Sequence, residues 1–224
     1  MKEVEPSLKY FEKTADFHSF LIKVYEFVRQ QFLIYESKAS HSLEHTIRVA
    51  NRCLELALQL DAAVDVVLIA ALFHDVGRPI EELTGKCHAE ISSEKAKEFL
   101  ESLSEKGLVS EVCSAIKSHR FSKGIEATTK EGKILKDADA LDALGVIGIY
   151  RTISFSTEKG LNLEEARKHF DDKLLKLPSL MHFPLTKEIA EKECIILVKF
   201  AEEIDLGIDR SKFKLLLNRL SERN

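Results

Sequence analysis

Several histidines and aspartates of this sequence lie in strongly apolar segments, where a charged or imidazole side chain is costly. His74 and Asp75 end the run VVLIAALFHD, the most hydrophobic stretch of the chain. A carboxylate at such a position is poorly hydrated, so it needs a cation or several hydrogen-bond donors. His45 lies in the preceding segment of helical apolar spacing. A third mostly apolar segment, KDADALDALG, contains Asp137, Asp139 and Asp142.

Two imidazoles and two carboxylates from three such segments suit a divalent first-row metal ion. Their mixed nitrogen and oxygen donors leave coordination positions for water and substrate. The absence of a thiolate disfavours a closed structural zinc site. Adjacent residues point about 100° apart on an ideal helix, so His74 and Asp75 can bind one ion only where the helix ends or distorts, and Gly77 lies near enough to allow that. On residue type alone, Asp137 and Asp139 both remain candidates for the last ligand.

The elements that must position these residues are predicted to be helices. Apolar residues recur at helical spacing along the chain, while strand-like alternation is hard to find. The segment 62–74 is apolar nearly all round, which predicts a central helix that ends near Gly77 and Pro79. Asn162 and Glu165 resemble a capping box. Further helices are expected at 15–34, 47–60, 89–104, 108–119, 130–150, 163–177, 186–204 and 211–220. The sequence therefore predicts one all-α domain.

The overall composition is that of a globular chain of near-neutral charge. The 224 residues contain 33 Lys+Arg against 37 Asp+Glu, and 45% are hydrophobic. This composition excludes disorder and fibres and argues against a dedicated nucleic-acid binder. No apolar run approaches the roughly 20 residues of a membrane span, and the start MKEVEPSLKYFEK lacks a signal-peptide core. The four cysteines are too scattered for a disulfide framework. We therefore expect a cytoplasmic protein with no membrane partner.

Five segments of the chain together resemble the HD-domain superfamily of metal-dependent phosphohydrolases. They are HSLEHTIRVA, AALFHDVG, AIKSHRFS, ILKDADALDALGVIGIYR and HFDDKLLKLPSLM. They look like blocks of a compact single-domain bacterial and archaeal subfamily, some of whose members are nucleoside-triphosphate pyrophosphohydrolases. The resemblance implies a single-domain helical bundle of the HD type over residues 36–224. Residues 1–35, outside the match, are expected to form a helical extension packed on the domain.

The resemblance also implies the roles of individual residues. The metal ligands it implies are His45, His74, Asp75 and Asp139. The family pattern places the last ligand at the start of the ADALDAL run, which selects Asp139 and leaves Asp137 to cap or brace the site. Asp75 is also expected to be catalytic, because a carboxylate with one oxygen on the metal, either Asp75 or Asp139, can orient water. His119 matches an additional family histidine that meets a phosphate oxygen, protonates a leaving group or binds a second metal.

Five residues are expected to bind the phosphate groups of the substrate. They are His41, Arg48, Arg151, Lys173 and Lys176. Arg48 follows His45 by about one helical turn, and Lys173 and Lys176 are spaced by one turn in HFDDKLLKLP. An ordinary solvated helix face is the alternative interpretation of the two lysines.

The chain departs from the family pattern at three places. Some HD nucleotidases carry a catalytic Glu shortly after the HD pair, whereas here the first are Glu81 and Glu82, so that mechanism is not transferred. Ser42 stands where an Asp usually follows the His41 position. Ala140 stands where many relatives carry Arg.

The expected function is metal-dependent hydrolysis of a phosphoester or phosphoanhydride of a small phosphorylated substrate, a nucleotide. Conversion of a nucleoside triphosphate to its monophosphate and pyrophosphate is favoured. The expected cofactor is one divalent ion, with Mn²⁺ favoured over Mg²⁺, Co²⁺, Ni²⁺, Fe²⁺ and Zn²⁺. The alternatives are a phosphomonoesterase such as a nucleotidase, a cyclic phosphodiesterase, and a regulator that binds nucleotides without turnover.

Overall fold

A computed structural model describes residues 7–35, 42–120 and 124–209, together with 211, 213–215 and 218. Within these residues the regular structure is helical and contains no strand. The helices are α1 (Thr14–Ile34), α2 (Leu43–Leu60), α3 (Val64–Phe73), α4 (Arg78–Thr84), α5 (His88–Ser102), α6 (Lys106–Ser118), α7 (Lys130–Leu141), α8 (Gly145–Glu158), α9 (Leu163–Asp172), a 3-10 helix (Leu174–Leu180) and α10 (Pro184–Ile208). The predicted all-α fold is confirmed.

Helix α3 forms the centre of the fold. Every residue from Val64 to Phe73 is buried. The helix packs against α1, α2, α6 and α7, because a helix that is apolar on all sides has no face to present to water. It ends at Phe73, so His74 and Asp75 emerge from the middle of the protein rather than from its surface.

The described part of the N-terminal region packs against this central helix. Helix α1 buries an apolar residue every three or four positions and contacts α3. The buried carboxylate of Asp65, near the start of α3, accepts hydrogen bonds from the backbone N–H groups of Lys9 and Tyr10 at 2.9 and 2.7 Å. These bonds join the N-terminal segment to α3. The domain boundary at residue 36 stays a prediction.

Two helix boundaries differ from the sequence prediction. The helix predicted over 130–150 is wrong, because α7 ends at Leu141 and α8 begins at Gly145. Gly145 has a φ of +61°, a conformation that glycine adopts without steric cost. The prediction of an α-helix over 163–177 is also wrong beyond Asp172, where a 3-10 helix follows. The predicted capping box at the start of α9 is confirmed.

The remaining differences are smaller. Helix α4 was not predicted, although proline at its start is compatible with the first turn of a helix. Most of the predicted helix 211–220 lies outside the described residues. Among the helices that are described, none combines the length and apolarity needed to cross a bilayer.

Candidate metal centre

Four helices and the turn after α3 bring histidine and aspartate side chains together beneath the protein surface. His45 lies in the first turn of α2, His74 and Asp75 follow α3, and Asp139 lies in the last turn of α7. Two more histidines join them: His88 is the first residue of α5, and His119 follows the last residue of α6. All four histidines and Asp75 are buried, while the Asp139 side chain keeps 21% of its surface exposed. Asp139 therefore marks the open side of the centre.

The first cluster consists of His45, His74 and Asp139. The Nε2 atom of His45 lies 3.3 Å from Oδ1 of Asp139 and 3.3 Å from Nε2 of His74. Oδ2 of Asp75 lies 3.7 Å from the Nε2 atoms of both histidines. The structure thus brings together the four residues that the sequence predicts as metal ligands.

The second cluster consists of Asp75, His88 and His119. Here the other carboxylate oxygen of Asp75 is used: Oδ1 lies 3.4 Å from Nε2 of His88 and 3.7 Å from Nε2 of His119. The two Nε2 atoms are 3.3 Å apart. Asp75 therefore directs one oxygen into each cluster, an arrangement that can bridge two neighbouring divalent ions.

Each of the four histidines is oriented through its other ring nitrogen. Nδ1 of His74 bonds the carbonyl oxygen of Ala71 at 2.6 Å, and Nδ1 of His119 bonds that of Ile116 at 2.5 Å. A carbonyl oxygen only accepts, so Nδ1 carries a proton in both rings, and Nε2 presents a lone pair in the neutral form of each ring.

Carboxylates fix the remaining two rings. Oδ2 of Asp142 lies 2.6 Å from Nδ1 of His45. An oxygen of Glu81 lies 2.7 Å from Nδ1 of His88. A carboxylate at this position favours the same tautomer as the carbonyls do, and such carboxylate–histidine pairs are characteristic of metal-bound imidazoles.

The resulting electrostatics fit a bound cation. In each cluster two Nε2 atoms lie 3.3 Å apart beside a carboxylate, an arrangement that a positive ion bound to both would stabilise. Burial lowers the pKa of His74 to about 4 and that of His88 to about 3 despite the opposing effect of Asp75. Both rings are therefore neutral at pH 7, the protonation state that binds metal ions.

The two carboxylates nearest His45 are ionised. Burial alone would raise the pKa of Asp139, but the hydrogen bond and charge of His45 outweigh it and hold that pKa well below its ordinary value. The pKa of Asp142 is also lowered, because hydrogen bonds from His45 and Arg48 outweigh its burial. For His45, burial and Arg151 favour the neutral ring, yet the bonds to Asp139 and Asp142 leave its pKa raised. A metal ion would have to displace this proton.

The structure places Arg48 and Arg151 around Asp142. Arg48 donates two hydrogen bonds to its carboxylate, at 2.7 and 2.9 Å, and Nη1 of Arg151 donates a third at 2.9 Å. In this arrangement both arginines neutralise the carboxylate that orients His45. Asp142 was noted in the sequence without a role. Its position becomes apparent only once the break between α7 and α8 is known.

A comparable hydrogen-bond network supports His88, a residue that the sequence analysis did not include in the site. Glu81 bonds His88 with one oxygen and Nη1 of Arg120 with the other at 2.5 Å. The segment GKCHAEISS gives no apolar context that would single out His88. The residue that reflects the contact with His88 is Gly77, because a Cβ there would come within 2.5 Å of the carbonyl oxygen of His88. Glycine lets the turn after Asp75 lie directly against the first turn of α5.

Arg78 contacts the shared carboxylate of Asp75 itself. Nε of Arg78 donates to Oδ1 of Asp75 at 2.9 Å, the oxygen that faces the second cluster. Nη1 of Arg78 lies 3.5 Å from Glu81. Positive charge is therefore present beside the second cluster.

The two lysines expected to bind phosphate differ in their surroundings. The pKa of Lys173 is lowered, chiefly because the protein displaces water from its ammonium group and also because Arg78 and Arg151 repel it, while Asp139 opposes the shift. Lys173 thus lies near the open side of the centre. Lys173 and Lys176 are both exposed, and the end of α9 at Asp172 removes the continuous α-helix that was expected to carry both lysines. A phosphate-binding role of Lys176 stays a prediction.

His41 and Asp137 were also considered for the site, and neither is found in the two clusters of the described residues. His41 lies outside the described residues. Asp137 is buried away from both clusters, where it accepts hydrogen bonds from the backbone N–H and ring of His182 and from the hydroxyl of Thr186. It braces the start of α10.

Comparison with known proteins gives the class to which this fold and site belong. A family model described as HD domain matches residues 42–144, a range that contains every residue of both clusters. The solved structure of a predicted HD superfamily hydrolase from an uncultured Thermotogales bacterium is 30% identical, with a TM-score of 0.64 over 84% of this chain and 93% of that chain. The chain belongs to the HD-domain superfamily of hydrolases, as the sequence resemblance predicted.

Two further relatives of this chain are YpgQ and ribonuclease Y. YpgQ of Bacillus subtilis is 25% identical over 183 residues, which cover 80% of this chain and 89% of YpgQ. The crystal structure of YpgQ in complex with ADP has a TM-score of 0.69 at 24% identity over 84% of this chain and 97% of that chain, which shows a shared fold. Ribonuclease Y of Rubrobacter xylanophilus is 33% identical over 129 residues, but the match spans 23% of that protein.

Proposed function

We propose that this hydrolase is a metal-dependent phosphohydrolase that cleaves a nucleotide at a phosphoester or phosphoanhydride bond. The favoured reaction converts a nucleoside triphosphate to its monophosphate and pyrophosphate. The observation that carries this proposal is the convergence of four imidazole Nε2 atoms and two carboxylates on one buried centre. That centre opens to solvent at Asp139.

The proposed ligands of the principal metal ion are His45, His74, Asp75 and Asp139. Mixed nitrogen and oxygen donors suit Mn²⁺ and other first-row divalent ions, and Mn²⁺ is our proposed cofactor. When bound, such an ion neutralises phosphate charge and lowers the pKa of an attacking water. The second cluster offers His88 and His119 to a second ion. We assign His119 to metal binding rather than to protonation of a leaving group, because its Nε2 lies 3.3 Å from Nε2 of His88 and 3.7 Å from Oδ1 of Asp75.

Positive side chains near the open side support an anionic substrate. The side chain of Arg151 is 12% exposed and reaches Asp142, and the ammonium of Lys173 lies near enough to feel Asp139, Arg78 and Arg151. A triphosphate brings several negative charges, of which one divalent ion neutralises only part. Charge-assisted hydrogen bonds from such cations are among the stronger polar contacts to phosphate. The ADP complex of YpgQ supports a nucleotide as the phosphate carrier.

The carboxylates have different proposed tasks. Asp75 is enclosed, with Oδ1 bonded to Arg78 and Oδ2 directed between His45 and His74. Its proposed task is to hold metal and fix the spacing of the two clusters. Asp139 is the carboxylate next to solvent. We assign to it the orientation of the attacking water.

A product assay on a substrate panel tests the proposal. Purified protein is incubated with Mn²⁺, Mg²⁺, Co²⁺ or Ni²⁺ and with nucleoside tri-, di- and monophosphates, cyclic nucleotides and a short RNA. We expect pyrophosphate from triphosphates. Orthophosphate would favour a phosphomonoesterase, and cleavage of cyclic nucleotides a phosphodiesterase. Nucleotide binding with no turnover under any condition would favour the regulator and contradict the proposal.

A matched pair of variants connects the activity to the centre. Asp139→Asn is expected to lose at least about a hundredfold in turnover, as metal-site and electrostatic contributions of this kind do, together with bound metal. Asp172→Asn replaces a carboxylate that is 61% exposed at the end of α9 and is expected to retain wild-type turnover. Full activity of Asp139→Asn at normal metal content would refute the proposed centre.

A further inference from the structure

A small cleft lies beside the open side of the metal centre, between α8 and the segment that follows α9. Its volume is about 110 Å³. The side chains that define it are Arg151, Thr152, Phe155, His169, Lys173 and Leu174. The cleft is cationic at one end, where Arg151 and Lys173 lie, and aromatic at the other.

The aromatic end is formed by two roughly parallel rings. The centroids of Phe155 and His169 are 6.2 Å apart, and the ring planes differ by 29°. Both residues are half-buried. The pKa of His169 is lowered, first by burial and then by the charge of Lys173, so its imidazole is uncharged at neutral pH. The cleft therefore offers aromatic ring surface to a ligand, and the ammonium of Lys159 lies 5.9 Å from the centroid of Phe155.

Arg151 and Phe155 lie about one helical turn apart on α8. Phe155 follows Arg151 by four residues on α8, and one helical turn rises about 5.4 Å. The same side chain of Arg151 reaches Asp142 in the support of the metal centre. A molecule whose phosphates contact Arg151 and Lys173 at the open side would bring its next group to Phe155.

The size of the cleft limits what that group can be. A volume of 110 Å³ is well below the roughly 300–1,000 Å³ of pockets that enclose whole small molecules. It accommodates one planar ring system and leaves the rest of a ligand over the open side. Aromatic side chains bind nucleobases by stacking with little dependence on which base is present.

We propose that this cleft is the nucleoside subsite of the enzyme, in which the nucleobase stacks on Phe155 while Arg151 and Lys173 contact the phosphates. This inference rests on the proposed function, since it assigns the part of a nucleotide that the metal centre does not bind. It makes Phe155 the residue that distinguishes a nucleotide from a simple polyphosphate.

Calorimetric titration of the Mn²⁺-loaded protein with ADP and with inorganic pyrophosphate tests the subsite, because pyrophosphate lacks the base. The main variant is Phe155→Leu, which keeps apolar volume but removes the ring. We expect it to weaken ADP binding roughly 5- to 150-fold, the range for loss of one stacked base, and to leave pyrophosphate binding within about twofold. Phe155→Tyr, which retains the ring, is expected to restore ADP binding.

Tyr150→Ala is the matched control, because it removes an aromatic ring from the same helix that is 59% exposed. It is expected to change neither titration. Equal weakening of ADP and pyrophosphate by Phe155→Leu would indicate a general packing defect and overturn the subsite. So would unchanged ADP binding. If the wild-type protein binds pyrophosphate but not ADP, the subsite fails while a phosphohydrolase remains. If it binds neither ligand, the proposed function fails as well.

Discussion

Replacing Asp142 by Asn should weaken metal binding without touching any proposed ligand. Asp142 accepts the bond from Nδ1 of His45 at 2.6 Å and three bonds from Arg48 and Arg151. The asparagine keeps the shape and one acceptor oxygen but loses the negative charge. His45 then becomes a poorer electron donor, and the positive charges of Arg48 and Arg151 act on the centre without compensation.

The expected size of this effect follows from the contacts. Loss of a residue that orients a ligating histidine typically costs 10–100-fold in metal affinity, which is about 1.4–2.8 kcal/mol. The upper half of this range is expected, because Arg151, only 12% exposed, loses the neighbouring negative charge of Asp142 in a poorly hydrated position. Titration of metal-free protein with Mn²⁺ measures the affinity directly.

The control for Asp142→Asn breaks a second carboxylate–arginine pair, whose arginine, like Arg48, lies on α2. Glu193→Gln removes the partner of Arg52, a pair at 2.8 Å with both side chains partly exposed. Such surface pairs contribute little, so the Mn²⁺ affinity should stay within about twofold. If folded Asp142→Asn protein also binds Mn²⁺ within twofold of wild type, Asp142 does not support His45 as described and the reasoning is refuted.

Three further outcomes are expected. Arg78→Met should tighten binding of a second Mn²⁺ about tenfold, because it removes a cation 2.9 Å from the oxygen that Asp75 presents to the second cluster; unchanged second-site titration would contradict this. Gly77→Ala should lower the free energy of unfolding in urea by about 1–3 kcal/mol, since its Cβ meets backbone. Gly207→Ala, with open space around the new Cβ, should not. The metal-free protein should lose thermal stability as pH falls from about 6.5 toward 4, because His74 and His88, with pKa values lowered to about 4 and about 3, take up protons only on unfolding. A constant melting temperature over that range would refute the last expectation.

The parts of this structure that the sequence predicts are those set by local apolar context. The central helix and its terminal His74 and Asp75 stand out because hydrophobic residues surround them on every side of the helix. The capping box of α9 is equally local. These features need no knowledge of which helices pack together.

The parts that sequence reasoning missed depend on close approaches between distant segments. His88 reaches the centre because Gly77 allows the turn after Asp75 to touch the first turn of α5. The sequence GKCHAEISS by itself does not indicate that contact. The break after Leu141 is hidden because apolar residues continue at helical spacing on both sides of it. The role of Asp142 follows from that break. Lys173 and Lys176 were placed on one α-helical face because a change from α to 3-10 geometry leaves no clear trace in residue type.

The way the four histidines are held has a consequence for how such a centre can change during evolution. In each cluster one ring is held by a backbone carbonyl, His74 by Ala71 and His119 by Ile116. The other ring of each cluster is held by a replaceable carboxylate side chain. No substitution removes a backbone carbonyl, whereas one codon change alters a carboxylate. Each cluster thus combines one histidine whose supporting group cannot be substituted with one whose supporting group can. Selection could therefore tune the metal preference of either cluster by a single substitution and leave the other cluster unchanged.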